Sequence, residues 1–175
     1  MPTHADADAL PADGRDETPN ERADRNWNEI LQELRVAQTG TQIIVGFLLA
    51  VAFQPRFEEV DAYQLGLYLV LVALAGIATA LGLAPVSLHR TYFARQRKEY
   101  IVRIGSRLLV ADLVVVAFLA VGVTSLIFDF TAGRAAGFTA MGVGLAVVAV
   151  LWLVVPRLGS RSAVGAAPHA HRAEG

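Results

Sequence analysis

Asp112 is the ionisable residue of this sequence that falls well inside an apolar stretch, and a charge at such depth is costly enough to be a candidate for function. Two uncharged polar residues fall at a similar distance from the ends of their own stretches. Counted at about 1.5 Å per residue from the side of the basic connection, Asp112 lies ~12 Å in, Gln42 ~9 Å and Thr79 ~13 Å. The three are therefore expected at one depth. Asp112 is expected to face the interior of a helix bundle and to be hydrogen-bonded to Gln42 or Thr79, with Arg107 or Arg35 as counter-charge. Paired with Arg107 the carboxylate stays ionised; without a cation it is suited to carry a proton. Three roles remain open for it: a polar clamp that fixes helix packing, a proton or cation relay, or an aspartate that reaches interfacial water.

Little other chemistry is written in the chain. It has no cysteine, which removes disulfides, thiolate metal sites and cysteine nucleophiles. It carries no HExxH, no GxSxG, no phosphate-cradling glycine loop and no carboxylate pair at catalytic spacing, so no enzyme is expected. His169 and His171 form an HxH in the last residues, too little for a metal site. No cofactor and no metal are expected. Fifteen basic against sixteen acidic residues give a net charge of -1, which argues against nucleic acid as a partner. Asp129 and Arg134 flank a short connection and read as a solvated pair.

What must position Asp112 is a set of apolar helices. Of the 175 residues 54% are hydrophobic and 18% charged, and mean hydropathy is +0.46, outside the range of a water-soluble globule. A spanning helix needs about 20 mainly apolar residues. Residues 63–88, 104–128 and 135–155 meet this. A first, weaker stretch is strictly apolar from Ile43 to Phe53 and must take in residues 36–42 to cross. Pro55 and Pro156 follow the first and fourth stretches, and Pro85 should bend or end the second. Short links, 54–62 and 129–134 with 89–103 somewhat longer, predict antiparallel neighbours. The fold class is all-α: an integral membrane up-down four-helix bundle spanning 39–156, preceded by an amphipathic helix.

Charge gives the orientation. The middle connection, HRTYFARQRKEYIVR, holds Arg90, Arg95, Arg97, Lys98 and Arg103, whereas the other two hold only Arg56 and Arg134. By the positive-inside rule the middle connection is cytoplasmic, and four spans then place both termini in the cytoplasm, at the inner membrane. Its arginines, with Tyr92, Phe93 and Tyr100, also suit anionic lipid headgroups, so Arg90, Arg95, Arg97 and Lys98 are candidate headgroup contacts. Membrane lipids are the expected partners, with a second copy of the chain or another membrane protein. Small residues four apart, Ala136, Ala140 and Gly144, and Gly133 with Gly137, would let helices approach closely.

Ahead of the first span, Thr18-Pro19-Asn20-Glu21 reads as a capping box with proline at the first helical position. Trp27, Ile30, Leu31 and Leu34 share one face, the spacing of an amphipathic helix over 18–38. Trp27 suits the headgroup level, so the helix lies on the membrane surface or beneath the bundle. A single rod continuing into the first span is the alternative, with Gly40 as the place to bend. Residues 1–17, acidic and poor in large apolar side chains, and 157–175 are expected to be flexible tails.

The run DETPNERADRNWNEILQELRVAQTGTQIIVGFLLAVAFQPRF, followed by LYLVLVALAGIATALGLAPVSLHR, resembles an uncharacterised family of small actinobacterial membrane proteins over residues 15 to about 155. ELRVAQTG, FQPRF and APVSLHR are the most specific parts. The resemblance implies four spans and a domain of unknown function, and some relatives carry an automatic sodium/proton antiporter label. Two functions follow as expectations: a non-catalytic scaffold or accessory subunit, or a small multimeric proton- or cation-coupled transporter using Asp112.

Overall fold

The computed structural model describes residues 17–92, 98–154 and 157; the side chains of residues 19, 89–92 and 98–100 lie outside the description. The expected tails therefore fall outside it, apart from Glu17 and Arg157. Four helices carry the described chain: α1 (Pro19–Ala52), α2 (Ala62–Tyr92), α3 (Lys98–Ala132) and α4 (Arg134–Ala149), the last prolonged by a π-helical turn, Val150–Val154. No strand occurs among the described residues. All four are long and apolar enough to cross a membrane, which makes the chain a multi-pass, all-α membrane protein.

α1 begins as its sequence requires. The Glu21 N-H donates to Thr18 Oγ1, and the Glu21 carboxylate accepts from the Thr18 N-H at 2.9 Å, so two backbone donors that a helix start leaves unpaired are satisfied. The helix then runs through Gly40 to Ala52 without interruption. The amphipathic segment and the first span are thus one rod, and no boundary falls at residue 38. α2 starts on a second reciprocal cap, in which the Gln64 N-H donates to Asp61 Oδ1 and the Asp61 N-H to Gln64 Oε1. Pro85 neither ends α2 nor stands at its edge: it is buried inside a helix that continues to Tyr92.

The chain divides into two compact parts, Met1–Val123 and Thr124–Gly175. In the first, α1 and α2 are antiparallel. Gln38 Nε2 donates to the Ala78 carbonyl at 3.3 Å and Tyr68 Oη to the Leu48 carbonyl at 3.1 Å, ten residues on along one helix and ten back along the other. The Tyr68 ring also meets Phe57 edge-on, 4.8 Å between centroids, which fixes the 3₁₀ turn Pro55–Glu59 that joins the two helices. α3 runs parallel to α1: Trp27 lies on Gly105, and Ile30 and Leu34 pack with Leu109, Val102 and Leu113. α2 meets α3 where Leu71 covers Gly122.

Burial follows a seven-residue period on each helix. On α1 it takes Trp27, Leu34, Thr41 and Leu48; on α2 Tyr68, Ala75 and Gly82 with Leu71, Ala78 and Pro85; on α3 Gly105, Asp112 and Leu119. This is the a/d pattern of knobs-into-holes packing. The outward positions are apolar as well, Val36, Leu69 and Val110 among them, because their solvent is hydrocarbon.

The second part is a tight hairpin. Gly133, with φ at 92°, is the single residue between α3 and α4, a conformation that costs a side-chain-bearing residue much more. Across the turn Arg134 Nε meets Asp129 Oδ2 at 3.3 Å, and Ser125 Oγ donates to the Gly137 carbonyl at 2.9 Å. The ion pair is not solvated as expected, since Asp129 is only 5% exposed. Its carboxylate is enclosed because Gly137 approaches so closely that an added Cβ would stand 2.9 Å from Asp129 Cβ.

Candidate functional site

The helices measure 34, 31 and 35 residues for α1, α2 and α3, or roughly 51, 46 and 52 Å, against a hydrocarbon core about 30 Å thick. A short 3₁₀ turn closes α1 onto α2, so these two ends sit near one membrane surface. The excess length projects beyond the other, on the side of residues 93–97.

Depth is best counted from the short-turn ends, which the helix registers keep level. On that scale, carried onto α3 through the Leu71–Gly122 contact, Asp112 lies about 28 Å in, Thr79 about 26 Å and Gln42 only about 15 Å. Asp112 and Thr79 thus share a level, as expected, and Gln42 does not. Counting from the basic side set each residue against a helix end that the structure places elsewhere, because all three helices run on past the bilayer.

Asp112 is fully buried, and neither carboxylate oxygen has a hydrogen-bond partner among the described residues. The residues expected to satisfy it do not. Gln42 is exposed on the outer face of α1. Thr79 is exposed too and donates to its own helix at the Ala75 carbonyl, 2.9 Å. Arg107 and Arg35 are exposed and form no ion pair with Asp112. Register identifies its actual neighbours in height. Seven residues beyond the Trp27–Gly105 contact on both parallel helices, Leu34 comes level with Asp112; ten residues from the Leu71–Gly122 contact, Leu81 does. The nearest polar side chain along α1 is Gln38, one turn further, whose amide is held by Ala78 and lies across Gly82.

Thr41 and Gln38 were the polar residues to find on α1. Thr41 is 1% exposed and donates to the Ala37 carbonyl at 3.0 Å. Its signal was the seven-residue series from Trp27 through Leu34; Gln42, one position on, is rotated by about 100° out of the seam.

The lipid-contact candidates divide. Trp27 does not face the headgroups: it is 8% exposed, with ring atom Cζ3 at 2.7 Å from where a Gly105 Cβ would stand. The tightness of that seat, open because residue 105 has no side chain, outweighs the indole's affinity for the interface. Arg95 and Arg97 lie outside the described residues; Arg90 and Lys98 belong to α2 and α3, but their side chains are outside the description. Among the described residues no group of three or more His, Asp or Glu side chains could hold a metal ion.

Neither a curated protein nor a solved structure matches the chain. A family model does match it, over residues 16–156, and the chain accordingly belongs to the family of unknown function DUF6328.

Proposed function

We propose that the protein is a non-catalytic scaffold or accessory subunit of the cytoplasmic membrane. The observation that carries this reading is α4. The helix is apolar on every side, with Phe138 53%, Val143 59% and Leu151 54% exposed, and Gly137 is its buried residue. Within the hairpin it forms with the end of α3, a spanning helix with so much exposed apolar surface suits another membrane protein or a second copy, and its small residues would permit close approach. A pull-down of the full chain in mild detergent is expected to retain a stoichiometric membrane partner or a second copy, and proteoliposomes are expected to show no sodium, potassium or proton flux. Flux from the purified chain alone would defeat the reading.

The orientation belongs to the same proposal. The side from which α1, α2 and α3 project carries most of the arginines, supporting a cytoplasmic location for it and for both termini. The absence of cysteine makes this directly measurable. Glu58→Cys, in the exposed 3₁₀ turn, is expected to react with an impermeant maleimide applied from outside, and Glu33→Cys only after permeabilisation. The opposite pattern would invert the topology.

A second reading, a multimeric proton- or cation-coupled transporter, is favoured by one observation: a buried carboxylate with no hydrogen-bond partner among the described residues. Such a group suits a transient cation or proton better than it suits a permanent clamp.

A further inference from the structure

A cleft of about 490 Å³ opens between the projecting halves of α1 and α3. Arg22 and Asn26 line it from α1, and Val102, Arg103, Ser106 and Arg107 from α3. The spacing explains the convergence: Arg22 and Asn26 are four apart, and Arg103, Ser106 and Arg107 three and four apart, so each set shares a helix face. Among the described residues no carboxylate lines the cleft. On α1 the neighbouring Arg25 is held between Glu17 at 2.7 Å and Glu29 at 3.0 Å, which takes up those acids on another face. Among the described residues Arg22, Arg103 and Arg107 are in no ion pair, so three guanidiniums face one space with an amide and a hydroxyl beside them.

Depth says what can reach it. Counted from the α1–α2 turn through the Leu71–Gly122 contact, Arg107 stands about 36 Å in and Arg103 about 42 Å, whereas the hydrocarbon ends near 30 Å and the headgroups extend several ångströms further. Arg107 is thus at headgroup height and Arg103 just outside it. Guanidiniums bind phosphate oxygens bidentately, and the Ser106 hydroxyl and Asn26 amide add neutral donors.

We propose that this cleft binds the phosphate of an anionic phospholipid from the leaflet on that side. The assignment rests on the bilayer placement above and is independent of the scaffold role. The test uses the full chain, delipidated in non-ionic detergent and titrated with phosphatidylglycerol, phosphatidylcholine or pyrophosphate under native mass spectrometry. Phosphatidylglycerol is expected to be retained in preference to phosphatidylcholine. The double variant Arg103→Gln/Arg107→Gln is expected to weaken its retention about twentyfold, from roughly fivefold per charge at a membrane surface. Both side chains are exposed, so elution volume and helicity should not change, and Arg56→Gln, in the short turn at the far ends, should retain lipid like the parent. Equal retention of the two lipids, or undiminished retention by the double variant, overturns the proposal. Binding of pyrophosphate without phosphatidylglycerol would assign the cleft to a soluble phosphate and overturn the lipid source. Failure of the bilayer placement would show separately, as a chain monodisperse without detergent.

Discussion

Replacing Trp27 with alanine is expected to detach the projecting part of α1 from α3 while the membrane-embedded part stays paired with α2. The indole is buried on Gly105, and below it Ile30 and Leu34 share a small cluster with Leu109. Removing a buried tryptophan costs about 3–5 kcal/mol where the site cannot collapse. Here two stiff helices hold the gap open. Hydrogen exchange should therefore accelerate at residues 23–34 and stay slow around Thr41 and Leu48. Gly105→Leu should act in the same direction, by about 1–3 kcal/mol, because its side chain must enter the space the ring fills. The decisive measurement is the double variant, in which leucine occupies what alanine vacates. A coupling of at least about 1 kcal/mol between the two positions is expected, with the double variant more stable than the sum of the singles. Additive losses would mean that Trp27 acts as an interfacial anchor and not through Gly105.

The same contact shows how far the sequence could be read. Apolar length gave the four helices, and the capping box gave the start of α1, because both depend on neighbours in the chain. Pro85 does not end α2: a helix tolerates the missing N-H when the surrounding helices fix it, and the residue is buried within α2. The depth of Gln42 against that of Asp112 and Thr79 was not legible, since it depends on where all three helices stop, and α2 and α3 leave only residues 93–97 between them. The face of each polar residue on α1 was legible in principle. Trp27 and Leu34 set a series that reaches Thr41, and following it through the apolar stretch would have replaced Gln42 with Thr41. The headgroup role given to Trp27 failed because its partner, Gly105, lies 78 residues away, and a glycine carries no sign of what it accommodates. The cationic cleft was hidden likewise: Arg22 and Arg103 become neighbours only once α1 and α3 are known to be parallel.

Asp112→Leu is expected to stabilise the protein in detergent. Burying a polar group without a hydrogen bond costs about 1–3 kcal/mol as measured by mutation, and leucine, of similar size, returns that cost. A clamp would behave in the opposite way, since removing one member of a satisfied polar pair strands the other. A rise in the thermal midpoint of Asp112→Leu thus excludes the clamp, and a fall restores it. A second copy of the chain cannot rescue the clamp by supplying the missing donor, because the carboxylate is fully enclosed and the helices would have to separate to admit one. Asp112→Asn completes the comparison. It keeps the shape and a hydrogen-bonding group but holds no charge and releases no proton, so flux lost with stability unchanged would mark a relay and displace the scaffold reading. Stability gained with no flux in parent or variant would leave a residue that costs the fold energy and carries nothing by itself, which is what an accessory subunit would show if its aspartate met a cation only within a larger assembly.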